Sequence, residues 1–147
     1  MEEKIQYFAY GANRDPIMIS AITGVPQEEL VGRKAVVRGY RLAIQNLEQI
    51  PDTISPTAPE AISPRQILKN AWGENFSSYV LIEDPNGEVE GMIWELTPEQ
   101  RACVRDWELL DFGWFSDARG VAIDNDGNEI DVVTECISND QEVDKFI

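Results

Sequence analysis

The sequence predicts an α+β domain, a curled mixed sheet or small β-barrel of about six short strands with two or three flanking helices. Three observations point there. Short runs rich in aromatic and β-branched residues recur along the chain, separated by glycine, proline and asparagine. Two of the separators, Asp84-Pro85-Asn86-Gly87 and Asp126-Gly127, are hairpin signals late in the chain. Helix signals are too few to alternate with the strands as a doubly wound fold requires. The 147 residues suffice for one core, so a single domain over 1–147 is expected, with a frayed tail from about residue 138.

Ile5 to Tyr10 reads as the first strand and runs into a tight turn, Gly11-Ala12-Asn13. Asp15 then caps a short helix with Pro16 at its first position, and Gly24 stops it. Ala35–Ile44 is a second strand that Gly39 interrupts, which predicts a bulge or a close backbone approach. Pro51, Pro56, Pro59 and Pro64 mark an irregular loop, closed by a short helix at Arg65–Asn70. Ser78–Ile82 and Val89–Leu96 read as the arms of a hairpin across Asp84–Gly87. Thr97-Pro98-Glu99-Gln100 supplies cap, proline and capping-box glutamine for a helix to about Leu110. Helical spacing places Cys103, Trp107 and Leu110 on its apolar stripe, with Val104 and Glu108 one step around. Gly120–Ile123 and Ile130–Glu135 form a second hairpin.

Composition narrows the chemistry. Twenty-seven acidic residues against twelve basic ones leave a net charge of −15, which argues against nucleic-acid or membrane-surface partners. There is no histidine, so no Ser-His-Asp triad, Cys-His pair or histidine metal site can form. Two cysteines alone cannot close a zinc site. Asp124-Asn125-Asp126-Gly127 hints at a calcium loop, but the twelfth position of an EF-hand would fall on Val133, so the segment reads as a hairpin turn. Acid–base work therefore falls to carboxylates, lysine or tyrosine. Met1-Glu2-Glu3-Lys4 is followed by no apolar signal segment, and no run is long enough to cross a membrane. Cys103 and Cys136 read as small buried hydrophobes in a reducing, cytoplasmic setting. The tryptophans at 72, 94, 107 and 114 read as core, with a stacking platform as the alternative.

Two places could carry chemistry. Successive N–H groups of Tyr10-Gly11-Ala12-Asn13 could form an anion-binding nest beside a helix start, or the segment is an ordinary strand-to-helix turn. Glu108, beside Trp107, Leu109 and Leu110 at a helix C-terminus, could be a carboxylate of raised pKa suited to acid–base work. The alternative is a surface glutamate flanked by core residues.

Tyr7-Phe8-Ala9-Tyr10-Gly11-Ala12-Asn13 resembles the YFAYGSN signature of the γ-glutamyl cyclotransferases, with Ala12 where serine is usual. Val37-Arg38-Gly39-Tyr40-Arg41-Leu42, Trp72, Val89-Glu90-Gly91-Met92-Ile93-Trp94 and Trp107-Glu108 extend the similarity in order. The resemblance implies a small mixed β-barrel with a cavity at one end. It also implies a reaction: release of 5-oxoproline and a free amine or amino acid from a γ-glutamyl compound, with no metal or organic cofactor. Carried over, Glu108 would be the general acid/base. Gly11, Ala12 and Asn13 would bind the γ-glutamyl group through backbone N–H groups, and Tyr10 would line the pocket. Asn13 resembles the branch acting on γ-glutamyl amino acids. Phe115 falls where the family commonly places a tyrosine reaching the site, so its ring is expected there without the hydroxyl. The residues at 105 and 106 also depart from the usual aspartate spacing. A non-catalytic ligand binder of the same fold is the alternative, and an acidic surface docking a basic partner is a third reading.

Overall fold

The computed structural model describes residues 3–147. Strand β1 is Ile5–Ala9, followed by helix α1, Pro16–Thr23, and the long β2, Gly32–Asn46. Helix α2 is Pro64–Trp72, β3 is Ser77–Leu96 and α3 is Pro98–Trp107. β4, Ser116–Asp124, and β5, Glu129–Cys136, precede a two-residue β6, Lys145–Phe146. The order β3-β1-β5-β4-β2 closes on itself because β2 also pairs with β3, giving a five-stranded barrel with β6 added along β2. Only β1 and β5 run parallel among these pairs.

Alternation within the strands fills the barrel. Phe8, Val37, Leu81, Ile93 and Ala122 point inward with no measurable exposure, each large side chain contributing about 1.5–3 kcal/mol by leaving water. A second cluster around Ile50, Trp114, Phe115 and Ile137 closes one side. A third, Ile19, Trp94, Leu96 and Val104, seats α1 and α3 against β1 and β3.

The local signals hold where they are chemical. The Asp15 carboxylate accepts from the Ile17 N–H at 2.9 Å, and Gly24 ends α1 in a left-handed conformation, φ 77°. Thr97 and Gln100 make the reciprocal capping box, at 3.2 and 2.9 Å. Asp124 accepts from the N–H groups of Asp126 and Asn128, so the 124–127 segment is a hairpin turn.

Four expectations are corrected. Asp84–Gly87 does not reverse the chain: Tyr40 pairs with Glu83 and Arg38 with Glu88, so both expected arms lie along β2 as one strand. The four residues instead bulge opposite Gly39 (φ 85°), and a Cβ at Gly87 would sit 2.2 Å from the Tyr40 carbonyl oxygen. An Asn-Gly signal is local, and here the fifteen-residue β2 overrides it by pairing with both flanks. The tail is docked, not frayed: Asp144 and Ile147 N–H groups donate to Ile44 and Leu42 around the β6 pairing. On α3, Cys103 and Trp107 are exposed while Arg101 and Val104 face inward, because Arg101 has a buried carboxylate partner that its hydropathy does not reveal. Finally, Trp72 and Trp107 lie at the surface, whereas Trp94 and Trp114 are core. Among the described residues, no helix is long and apolar enough to cross a membrane.

Candidate active site

The first strand and the third helix bring the two sequence candidates together. β1 ends at Ala9, and the chain turns through Gly11 into a single 3-10 turn, Ala12–Arg14, that buries Asn13. Glu108 caps the C-terminus of α3, its N–H bonded to the Val104 carbonyl at 2.9 Å. Leu109 then takes a left-handed conformation, φ 56°, the only non-glycine residue at positive φ among the described residues. This bend turns the backbone away directly after Glu108, a conformation that costs a leucine on the order of 1 kcal/mol or more.

The Asn13 amide donates to Glu108 Oε1 at 2.6 Å and to the Tyr7 hydroxyl at 3.1 Å. Tyr7 in turn donates to Glu135 Oε1 at 2.7 Å, and Glu135 Oε2 lies 3.5 Å from Arg101 Nη1. The Arg101 guanidinium also stacks over the Tyr7 ring, 4.8 Å from its centroid. Asn13 is fixed from behind, since its carbonyl accepts from the Trp94 indole N–H at 2.9 Å. Tyr10 donates to the Glu135 carbonyl at 3.0 Å. Each side chain in this series is held by the next, which gives Glu108 one orientation.

The electrostatics follow from burial. Desolvation, then the neighbouring Glu135 carboxylate, pushes Glu108 from 4.5 to about 8, with the Asn13 bond and Arg101 pulling the other way. Glu135 is also raised, by its own burial first, against the lowering effects of Arg101 and Tyr7. Burial likewise raises the Tyr7 and Tyr10 phenols well above 10, so both stay neutral donors. Glu108 can therefore gain or lose a proton near neutral pH, while Glu135 is tied to its cation.

Glu108 opens onto a cavity of about 630 Å³. Tyr10, Gly11, Ala12 and Asn13 line it with Glu108, so five of the six sequence candidates are brought together. Among the described residues, nothing accepts from the N–H groups of Gly11, Ala12 and Asn13, which leaves donors for an anionic or carbonyl group. Phe115 is not brought to the cavity. It is 2 % exposed and packs on Trp114, ring centroids 4.2 Å apart, within the cluster that contains Ile50 and Ile137. Both belong to the same buried cluster, but only Trp114 reaches the cavity lining, with Phe115 behind it.

Sequence reasoning assigned no role to Tyr7, Glu135 or Arg101. Tyr7 stood inside the first motif, but Glu135 and Arg101 come from a strand and a helix whose meeting no local spacing announces. Among the described residues, no three Cys, Asp or Glu side chains group as a metal site would require.

No family model matches the sequence, and no curated protein matches it. Solved structures do. A γ-glutamyl cyclotransferase superimposes with a TM-score of 0.69 at 17% identity, over 96% of this chain and 70% of that one. An uncharacterized protein from Homo sapiens gives a TM-score of 0.68 at 18% identity, over 97% of this chain and 70% of the other. A protein from Arabidopsis thaliana gives 0.60 at 12% identity, over 93% and 64%. The chain has the γ-glutamyl cyclotransferase fold.

Proposed function

We propose that this protein is a γ-glutamyl cyclotransferase in which Glu108 is the general acid/base. The observation that carries this reading is a titratable carboxyl, poised near pH 8, at a cavity also lined by Gly11, Ala12 and Asn13, whose backbone N–H groups are unpaired. The Gly11–Asn13 loop holds the γ-glutamyl group. Glu108 takes a proton from the substrate's α-ammonium, and the freed amine attacks the γ-carbonyl carbon. A C–N bond forms to close the five-membered ring, and the C–N bond to the leaving amine breaks. Two protons pass in all from the α-nitrogen to the leaving nitrogen, which departs as an ammonium, so no redox partner is consumed. Holding the chain folded for ring closure supplies much of the acceleration, because orientation replaces a bimolecular encounter.

Histidine is not needed, because one carboxyl of raised pKa can accept and return the proton. Glu135, paired with Arg101, has the role of holding Tyr7 and Asn13 in place, while its charge helps to keep Glu108 protonatable. The test is mass-spectrometric detection of 5-oxoproline after incubation with γ-glutamyl amino acids and γ-glutamyl amides at pH 8. Release of 5-oxoproline above the uncatalysed rate supports the reading, and its absence from every compound contradicts it.

A further inference from the structure

The mouth of the cavity is aromatic in a way the γ-glutamyl group does not use. Trp72 at the end of α2 is 59% exposed and Trp107 at the end of α3 is 47% exposed. Their rings meet edge to face, centroids 6.5 Å apart, and Phe76 stacks beside Trp72 at 6.4 Å. Behind them the α2 wall is apolar, with Ile67, Leu68 and Ala71 facing the same space. Two large indoles held in water on adjacent elements mark a contact surface. This one is continuous with the Glu108 cavity, since Trp107 directly precedes Glu108 in the chain.

Charge limits the occupant further. Arg14 is the only cation lining the cavity among the described residues, and its Nε already donates to the Gly11 carbonyl at 3.1 Å. Asp106 adds an acid to the same lining, on a chain of net charge −15. A carboxylate on the leaving group would have only the Arg14 Nη groups to pair with there, against the Asp106 acid and the net negative charge of the chain.

We infer that the preferred substrates are γ-glutamyl amides of amines bearing an aromatic or bulky aliphatic group and no carboxylate, with the leaving group packed on Trp72 and Trp107. This rests on the reading of Glu108 as the group that protonates the leaving amine, which puts that amine beside Trp107. It departs from the amino-acid preference that Asn13 implied by resemblance, because the Asn13 side chain is spent on Glu108 and Tyr7.

The experiment compares kcat/KM for γ-glutamyl-phenethylamide, γ-glutamyl-methylamide and γ-glutamyl-phenylalanine in the parent, Trp72→Ala and Trp72→Phe. The parent should favour the phenethylamide over the methylamide by about tenfold, the scale of one aromatic contact with its buried area. γ-Glutamyl-phenylalanine should fall below the phenethylamide. Trp72→Ala should bring the phenethylamide-to-methylamide ratio near one, and Trp72→Phe should restore most of it. A parent ratio near one, or a ratio that Trp72→Ala leaves unchanged, overturns the inference. Calorimetric binding of the same amides to the Glu108→Gln protein separates the two readings. A Trp72-dependent preference in binding, with no 5-oxoproline release by the parent protein, keeps the aromatic subsite and removes the cyclotransferase; release by the parent without any preference does the reverse.

Discussion

The Asn13 side-chain amide donates to the Glu108 carboxylate at 2.6 Å, joining the loop after the first strand to the end of the third helix. Asn13 therefore contacts through its side chain the carboxyl proposed as general acid/base, whereas resemblance assigned it a backbone contact to substrate. The bond favours the ionised form and opposes the burial that raises Glu108. Replacing Asn13 with alanine should move the acidic limb of the kcat/KM profile upward and lower activity at pH 7 by about tenfold, as a lost charge-assisted hydrogen bond does. A limb that stays in place in Asn13→Ala would contradict this.

Glu135 pushes the other way. Its charge is the second cause of the raised Glu108, after burial. In Glu135→Gln the acidic limb should move down from about 8, because a negative neighbour is gone and Arg101 is left uncompensated. A pH–rate series on the two variants checks the signs: opposite displacements support the network, and displacement in one direction by both does not.

Stability carries the same signature. Glu108 is raised, so both states bind its proton below 4.5, and above that the unfolded chain ionises before the folded one does near 8. Stability is thus lost as pH rises through this window and is level above it. Glu108→Gln removes the loss. Its melting temperature should match the parent near pH 4 and exceed it by roughly 15 °C at pH 8.5, because a shift from 4.5 to about 8 is worth about 5 kcal/mol in a domain of this size. Thermal melts at the two pH values measure it.

Gln45 ties the tail to the core. Its amide donates to Gln141 and to the Gln49 and Glu142 carbonyls, while its Oε1 accepts from the Trp114 indole at 2.8 Å. Gln45→Leu leaves the buried Trp114 N–H without an acceptor and should cost about 1–3 kcal/mol. Hydrogen exchange should rise first in residues 138–147, and unchanged protection there would refute the tether.

What could be read from the chain was what short stretches decide. Asp15-Pro16, Thr97-Pro98 and Gly24 bound their helices because caps act over one turn. Gly39 marked its bulge, and Tyr10–Asn13 and Glu108 were found as the cavity residues they are. Asp84–Gly87 misled because the same residues suit a reversal and a bulge, and only the partner strand chooses. Phe115 misled because counting from Glu108 cannot see the left-handed turn at Leu109, after which Trp114 lines the cavity and Phe115 packs behind it. Arg101 and Glu135 were invisible for a related reason: each looks like a surface charge until the barrel closes and pairs them.

The most direct measurement is the rate of 5-oxoproline release by the parent and by Glu108→Gln, with substrate binding by each measured in parallel. The substitution is nearly isosteric but cannot titrate. The account predicts turnover in the parent, a loss of about a thousandfold or more in the variant, and affinity within severalfold of the parent. Parent-like turnover in Glu108→Gln would contradict it.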